Sequence, residues 1–289
     1  MRTPEEFMKT ILDFARKNEN IRMVGMEGSR VNSNIPEDSF QDYDITYFVR
    51  DREVFIRDDK WLSAFGRIIM MQKPEDMELF PAEEEGYSYL ILFDDYTKMD
   101  LTLLELDQLE GYLKEDGLRT VLLDKDSRLE REIIPTDQEY HIKKPSARSF
   151  DDCCNEFWNL ALYVAKGLGR KEILYAIDHL HLMRMELLRL LSWKAGLDYG
   201  FTFSVGKNYK FLDKYLPETL WKELLHTYRE DSYDHVWEAM FLCHELFRNT
   251  ACECAGAWGY ESVSYTHLDV YKRQIHTRRG DDSRYGRVS

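Results

Sequence analysis

Three aspartates set inside otherwise apolar β-type runs constrain this chain more than any other feature. Two lie in Q-D-Y-D-I-T-Y-F, residues 41–48, and the third in K-M-D-L-T-L, residues 98–103. Residues i and i+2 of a strand share a face, so Asp42 and Asp44 project together, roughly 7 Å apart along the backbone, while Tyr43 and Ile45 turn to a core. In the second run Met99, Leu101 and Leu103 face one side, and Asp100 and Thr102 the other. A carboxylate inside such a strand is expensive to bury unless it is paired or ligates a metal. Asp100 is therefore the natural third carboxylate. Two carboxylates side by side repel unless a cation lies between them, and a hard divalent metal is the leading candidate. The competing reading is solvated aspartates at strand ends or on an edge strand.

The run V-G-M-E-G-S-R precedes the first pair. A Gly28-Ser29 turn offers backbone N–H groups and a hydroxyl, which suit phosphate oxygens. A phosphate cradle leading to a carboxylate pair is the apparatus of metal-assisted phosphoryl or nucleotidyl chemistry.

The rest of the chain divides by periodicity. Thr3-Pro4-Glu5-Glu6 is a capped helix start, followed by an apolar stripe of Phe7, Ile11, Phe14 and Ala15 that ends near Asn18. Short strands are expected at 21–24, 42–49, 87–93, 98–104 and 121–126, with a hairpin turn at Asp94-Asp95-Tyr96. Trp61, Leu62, Phe65, Ile68 and Ile69 fit an amphipathic helix across 58–72, closed by Lys73-Pro74. Beyond Ile142-Lys143-Lys144-Pro145 helical spacing takes over, with helices expected at 150–167, 171–195 (capped by Gly196), 216–228 and 233–249. The expected organisation is α+β: a mixed sheet with helices over 1–148, then an all-α bundle over 149–261.

Composition narrows the function classes. A hydrophobic fraction of 44% fills a sizeable core, and the formal charge of −14 argues against a nucleic-acid partner, because backbone phosphates are bound chiefly by Lys and Arg. The same charge favours a small cationic substrate. Five cysteines, two of them adjacent, do not form a disulfide framework. Cys243, Cys252 and Cys254 lack the paired spacing of a zinc site, and His179 and His181 stand at i, i+2 on a helix, where they are not neighbours. With no secretory leader and no membrane-spanning apolar run, a cytoplasmic protein is expected, free of membrane and nucleic acid, as a monomer or weak homodimer. Ser262 to Gln274 back-translates to a near-perfect inverted repeat that resembles the mosaic end of a sequencing-library transposon. Residues 262–289 are accordingly expected to be a non-native tail replacing the original C-terminus.

Gly-Ser, a spacer, an Asp-x-Asp strand and a third Asp on a neighbouring strand resemble the nucleotidyltransferase superfamily signature. M-E-G-S-R-V-N, Q-D-Y-D-I-T-Y-F-V, M-Q-K-P-E, K-M-D-L-T-L, L-L-D-K-D, C-C-N-E-F-W, Y-V-A-K-G-L and S-V-G-K-N-Y-K, in that order, are similar to the streptomycin-modifying aminoglycoside 6-adenylyltransferase family over about residues 1–261. Glu27 departs from the superfamily pattern, which places an apolar residue before the glycine.

The resemblance implies Mg²⁺ on Asp42, Asp44 and Asp100, ATP phosphates on Gly28 and Ser29, and transfer of AMP to an aminoglycoside hydroxyl with loss of pyrophosphate. Asp100 is the first choice of general base, and an acidic residue near Glu83-Glu84-Glu85 the second. Arg30, Lys207 and Lys210 are candidate phosphate cations, Lys207 the better placed of the two lysines because it follows Gly206. Glu84, Asp178 and Glu186 with Trp158 are candidates for holding a cationic, polyhydroxylated acceptor. The plain alternatives are surface lysines, a solvated acidic loop, a core tryptophan and a salt-bridged glutamate. Two other functions stay open: the same chemistry on a lincosamide or a protein hydroxyl, and a non-catalytic protein of the antitoxin type. The costly strand carboxylates speak against the latter.

Overall fold

The computed structural model describes residues 2–82 and 85–260, in two compact units, one up to Glu139 and one from Tyr140 onward. The expectations for the 262–289 tail lie outside the described residues.

The first unit begins with α1 (Pro4–Lys17), which starts as its residues dictate. Thr3 Oγ1 accepts from the Glu6 N–H at 3.2 Å, and the Glu6 carboxylate accepts from the Thr3 N–H at 2.8 Å. Phe7, Ile11 and Ala15 are buried on one face of α1 against a six-stranded sheet. The strands are β1 (Ile21–Glu27), β2 (Tyr43–Val49), β3 (Ile68–Gln72), β4 (Tyr87–Phe93), β5 (Lys98–Glu105) and β6 (Arg119–Asp124). Their order is β3-β4-β5-β2-β1-β6, and among the described residues only the β2–β5 pair is parallel. Tyr43, Ile45, Tyr47, Tyr89, Ile91, Met99, Leu101 and Leu103 line the core face with α1, and the Tyr47 hydroxyl donates to the Ile11 carbonyl at 2.8 Å. A short α2 (Glu53–Ile56) follows β2. The opposite face of the sheet is covered at one end by α3 (Leu109–Glu115), whose Tyr112 packs with Met23, Phe48 and Leu104. Phe48 and Leu104 stand four residues beyond Asp44 and Asp100, so the aspartates hold the other end of that face.

One expected helix is corrected. Residues 58–72 form a 3₁₀ turn (Asp59–Phe65) and then strand β3. Gly66 has φ +139°, which no helix admits, and it stops the turn. The β-branched Ile68 and Ile69 then continue as an edge strand paired to β4, a preference that overrides the helical spacing of Trp61, Leu62 and Phe65.

The second unit is helical: α4 (Ala147–Gly169), α5 (Ile173–Tyr199), α6 (Glu218–His226) and α7 (Tyr233–Trp258). Here α5 runs past Gly196, whose bare Cα lets the Phe201 ring close in (a Cβ would meet it at 2.4 Å), and stops at Gly200, φ +91°. The residue expected to cap the helix is thus a packing glycine inside it. The buried Arg184 on α5 donates through Nε to Thr227 Oγ1 at 3.1 Å, pairs with Glu230 and lies 4.0 Å from the Tyr228 ring. No described helix is long and apolar enough to cross a membrane.

Candidate active site

The chain enters the site where β1 gives way to Gly28, at φ +76°. A Cβ there would lie 2.4 Å from Asp44 Oδ2, so only glycine lets the bend close on that carboxylate. Its N–H is spent on the Leu118 carbonyl at 3.0 Å. Gly28 therefore contributes space and backbone shape, and the Ser29 hydroxyl stays available to a ligand. Arg30 does not point outward as an open cation: its Nε and Nη2 donate to the carbonyls of Asp42 (2.9 Å) and Gln41 (2.7 Å), and its guanidinium lies 3.7 Å from the Tyr43 ring centre. Gln41 Nε2 in turn reaches the Ser29 carbonyl at 3.3 Å. These bonds clamp the bend to the start of β2, which fixes Asp42 and Asp44 relative to Ser29.

Register does the rest. The parallel β2–β5 pairing sets Asp44 level with Asp100, the antiparallel β1–β2 pairing sets Glu27 level with Asp44, and the β1–β6 pairing sets Arg119 level with Glu27. Residues level across a sheet share a face, so one row reads Arg119, Glu27, Asp44, Asp100. Glu27 is bound to Arg119 Nε at 2.7 Å and contacts Thr46 Oγ1 at 3.4 Å. Burial raises its carboxyl above the usual range, against the pull of Arg119. Among the described residues Asp44 has no such partner. Burial first, then the neighbouring charges of Asp100, Asp42 and Glu27, push its carboxyl up to about 6, with Lys98 acting the other way. Lys98 Nζ stands between the remaining two aspartates, 2.7 Å from Asp42 Oδ2 and 2.8 Å from Asp100 Oδ2. The second oxygen of Asp100 is buried with no hydrogen-bond partner among the described residues.

As the side chains stand, no three His, Cys, Asp or Glu among the described residues are spaced to hold a metal, and the charge between Asp42 and Asp100 is an ammonium. The donor set nevertheless fits a hard divalent ion. It is all oxygen, two of its carboxylates already converge on one cation, the third is desolvated and charge-deficient, and one buried oxygen lacks a donor.

Of the residues singled out from sequence, Gly28, Ser29, Arg30, Asp42, Asp44 and Asp100 gather here. Lys207, Lys210, Trp158, Asp178 and Glu186 belong to the helical unit. Lys207 and Asp178 are exposed, and Lys210 Nζ lies 5.0 Å from the Phe211 ring. Trp158 packs on His244 (5.0 Å between rings) and Phe157, and Glu186 is gripped by Arg189 at 2.9 and 3.1 Å. Glu83 and Glu84 lie outside the described residues, while Glu85 accepts from Gln108 Nε2 at 3.0 Å. Sequence reasoning missed Lys98 and the Glu27–Arg119 pair. Lys98 was open to discovery, since it stands at i−2 from Asp100 on the same strand. Arg119 was not, because its meeting with Glu27 depends on strand order.

A glycine-serine bend beside a carboxylate cluster on a mixed sheet, followed by a helical unit, defines a nucleotidyltransferase-type protein. The family model described as streptomycin adenylyltransferase matches residues 1–273, and the chain belongs to that family. It is similar to an aminoglycoside 6-adenylyltransferase of Campylobacter jejuni (54% identity over 266 residues, 92% of each chain). Enzymes described in the same words from Bacillus subtilis (strain 168) and Staphylococcus aureus match at 51% over 268 residues (92% of this chain, 94% of that one) and 46% over 265 residues (90% and 94%). A crystal structure of an aminoglycoside 6-adenyltransferase from Bacillus subtilis aligns over 96% of this chain and 99% of its own, with 44% identity and a TM-score of 0.48.

Proposed function

We propose that this protein transfers AMP from ATP to a hydroxyl of a cationic aminoglycoside, the 6-position of streptomycin, with release of pyrophosphate and loss of the drug's action. The observation that carries this reading is the register that sets Asp44 level with Asp100 beside the Gly28 bend, with Asp42 joined to Asp100 through one cation. Asp42, Asp44 and Asp100 would hold Mg²⁺, which when bound supplies positive charge to the α-phosphate and the departing pyrophosphate.

The protein's own groups do the remaining work. Arg30 and Gln41 hold the bend rigid, so the Ser29 hydroxyl meets a phosphate oxygen from a fixed position. An alcohol attacks poorly unless its proton has an acceptor, and Asp100, whose second oxygen has no donor, is assigned that role. Arg119 pairs with Glu27 and offsets part of the repulsion it adds to the row. In the helical unit the exposed Lys207, with Lys210, is assigned to phosphate, and the exposed Asp178 to the acceptor's cationic groups, a role we also give to Glu84. Glu186 and Trp158 are committed to Arg189 and to packing, so we assign them no contact with substrate. The net charge of −14 draws in a polycationic drug. A chemistry that consumes ATP supports a cytoplasmic location.

Incubation with α-labelled ATP, Mg²⁺ and a panel of aminoglycosides tests this. Labelled AMP on streptomycin, abolished by Asp44→Asn, is expected. Transfer only to a lincosamide or a protein would move the acceptor, and no transfer to anything would overturn the enzymatic reading.

A further inference from the structure

Lys98 is the feature that the reaction as written leaves unused. Its Nζ bridges Asp42 Oδ2 at 2.7 Å and Asp100 Oδ2 at 2.8 Å. Arg30 and Arg119, beside the same cluster, are committed elsewhere: Arg30 holds two carbonyls and a ring, and Arg119 is bound to Glu27 and Glu115. Lys98 is not held in that way. Its side chain keeps 38% of its surface exposed, as Asp42 keeps 37%, and ion pairs that open to water are weak and easily exchanged. A lysine also carries its charge on a flexible four-carbon stem.

We propose that Lys98 is a resident counter-ion of the carboxylate cluster: it occupies the place between Asp42 and Asp100 until a divalent cation takes it, then swings to the phosphate chain of the nucleotide. This rests on the reading of the aspartates as a magnesium site. Charge favours Lys98 when no divalent ion is present and favours the ion once it is. Without a cation the three aspartates carry three negative charges against one ammonium, so Lys98 relieves only part of their repulsion, and one buried Asp100 oxygen still lacks a donor among the described residues. A divalent ion neutralises twice as much, and the released ammonium stays within reach of the triphosphate that arrives with it. Lys98 would thus keep the carboxylates converged before the metal binds and tie cation entry to nucleotide entry.

The test uses the full chain and two binding measurements. Mn²⁺ binding without nucleotide is followed by electron paramagnetic resonance, and binding of a non-hydrolysable ATP analogue in saturating Mg²⁺ by calorimetry. Lys98→Met removes the competitor, so Mn²⁺ should bind about tenfold tighter, the effect of a unit charge within a few ångströms of a divalent ion even at the dielectric of water. The same variant should bind the analogue about tenfold more weakly, having lost a phosphate contact. Lys98→Gln gives the same pair of readings should Lys98→Met fail to fold. Mn²⁺ affinity that is unchanged or weaker, or analogue affinity that is unchanged, overturns the proposal. A wild-type chain that transfers AMP yet shows either result sinks this proposal alone. A wild-type chain that binds no Mn²⁺ sinks the metal site itself, and Lys98 with it.

Discussion

Asp44 is held where its charge opposes the fold, and removing that charge should stabilise the metal-free protein. Burial and its acidic neighbours raise the carboxyl from 3.8 to about 6. That is about two pH units, and at about 1.4 kcal/mol each the ionised form costs up to about 3 kcal/mol. Solvent reaching the half-buried side chain lowers the expected figure to about 1–3 kcal/mol. The sign follows from proton counts. Below the unfolded value of 3.8 both states are protonated and the group contributes nothing. Between 3.8 and about 6 the native state holds a proton that the unfolded chain has lost, so stability falls as pH rises. Above that window the full cost is present. Asp44→Asn keeps the shape and removes the charge. In calorimetry with EDTA it should raise the melting temperature at pH 8 and leave it unchanged at pH 4, while AMP transfer disappears. Added Mg²⁺ should then narrow the gap at pH 8 by stabilising only the wild type. An equal effect at both pH values, or destabilisation at pH 8, would refute the electrostatic account of this residue.

Two further outcomes are expected. Gly28→Ala must place a Cβ 2.4 Å from Asp44 Oδ2 at φ +76°, so it should lose about 1–2 kcal/mol of stability and most of its transfer activity; Gly111→Ala, in α3 with open space around it, should gain about 0.5–1 kcal/mol with activity intact, both read from urea midpoints and turnover. The hydrogen bonds from Arg2 (2.7 and 3.0 Å), helped by Thr97, hold the Asp95 carboxyl well below the usual carboxylate range, which stabilises the fold above pH ~4 and fades as pH falls toward the lowered value. Arg2→Ala should therefore cost about 1 kcal/mol at pH 7 and much less at pH 2, as measured by urea unfolding at the two pH values.

Sequence legibility followed the reach of each interaction. Local rules located α1, because a capping box, a proline and an apolar stripe all lie within one short segment. They also located β2, β4 and β5, which are short runs rich in aromatic and branched residues, and the turn at Asp94-Asp95 is explicit. They failed at 58–72, where helical spacing and β-branched residues disagree and a glycine at φ +139° decides between them. They failed again at Gly196, which reads as a helix end but is small because Phe201 packs onto it from beyond that end. Both errors have one origin: a glycine signals a special need, and its neighbours in space determine which one.

The site shows the same limit more sharply. Aspartates at i and i+2 announce a shared face within one strand, but no spacing along the chain says that Asp44 stands level with Asp100 or Glu27 with Asp44; the order β5-β2-β1-β6 says it. That order also explains Glu27, the one residue of the signature that looked out of place. An acidic side chain before the glycine would add a fourth, unpaired negative charge to the three aspartates if β1 were an edge strand. With β6 alongside, Arg119 meets it at 2.7 Å and offsets part of that charge where it arises. The carboxylate of Glu27 is therefore tolerated because of β6, and the two belong to one design. Asp44, by contrast, has no hydrogen-bond partner among the described residues, so its charge stays opposed by burial and by its acidic neighbours.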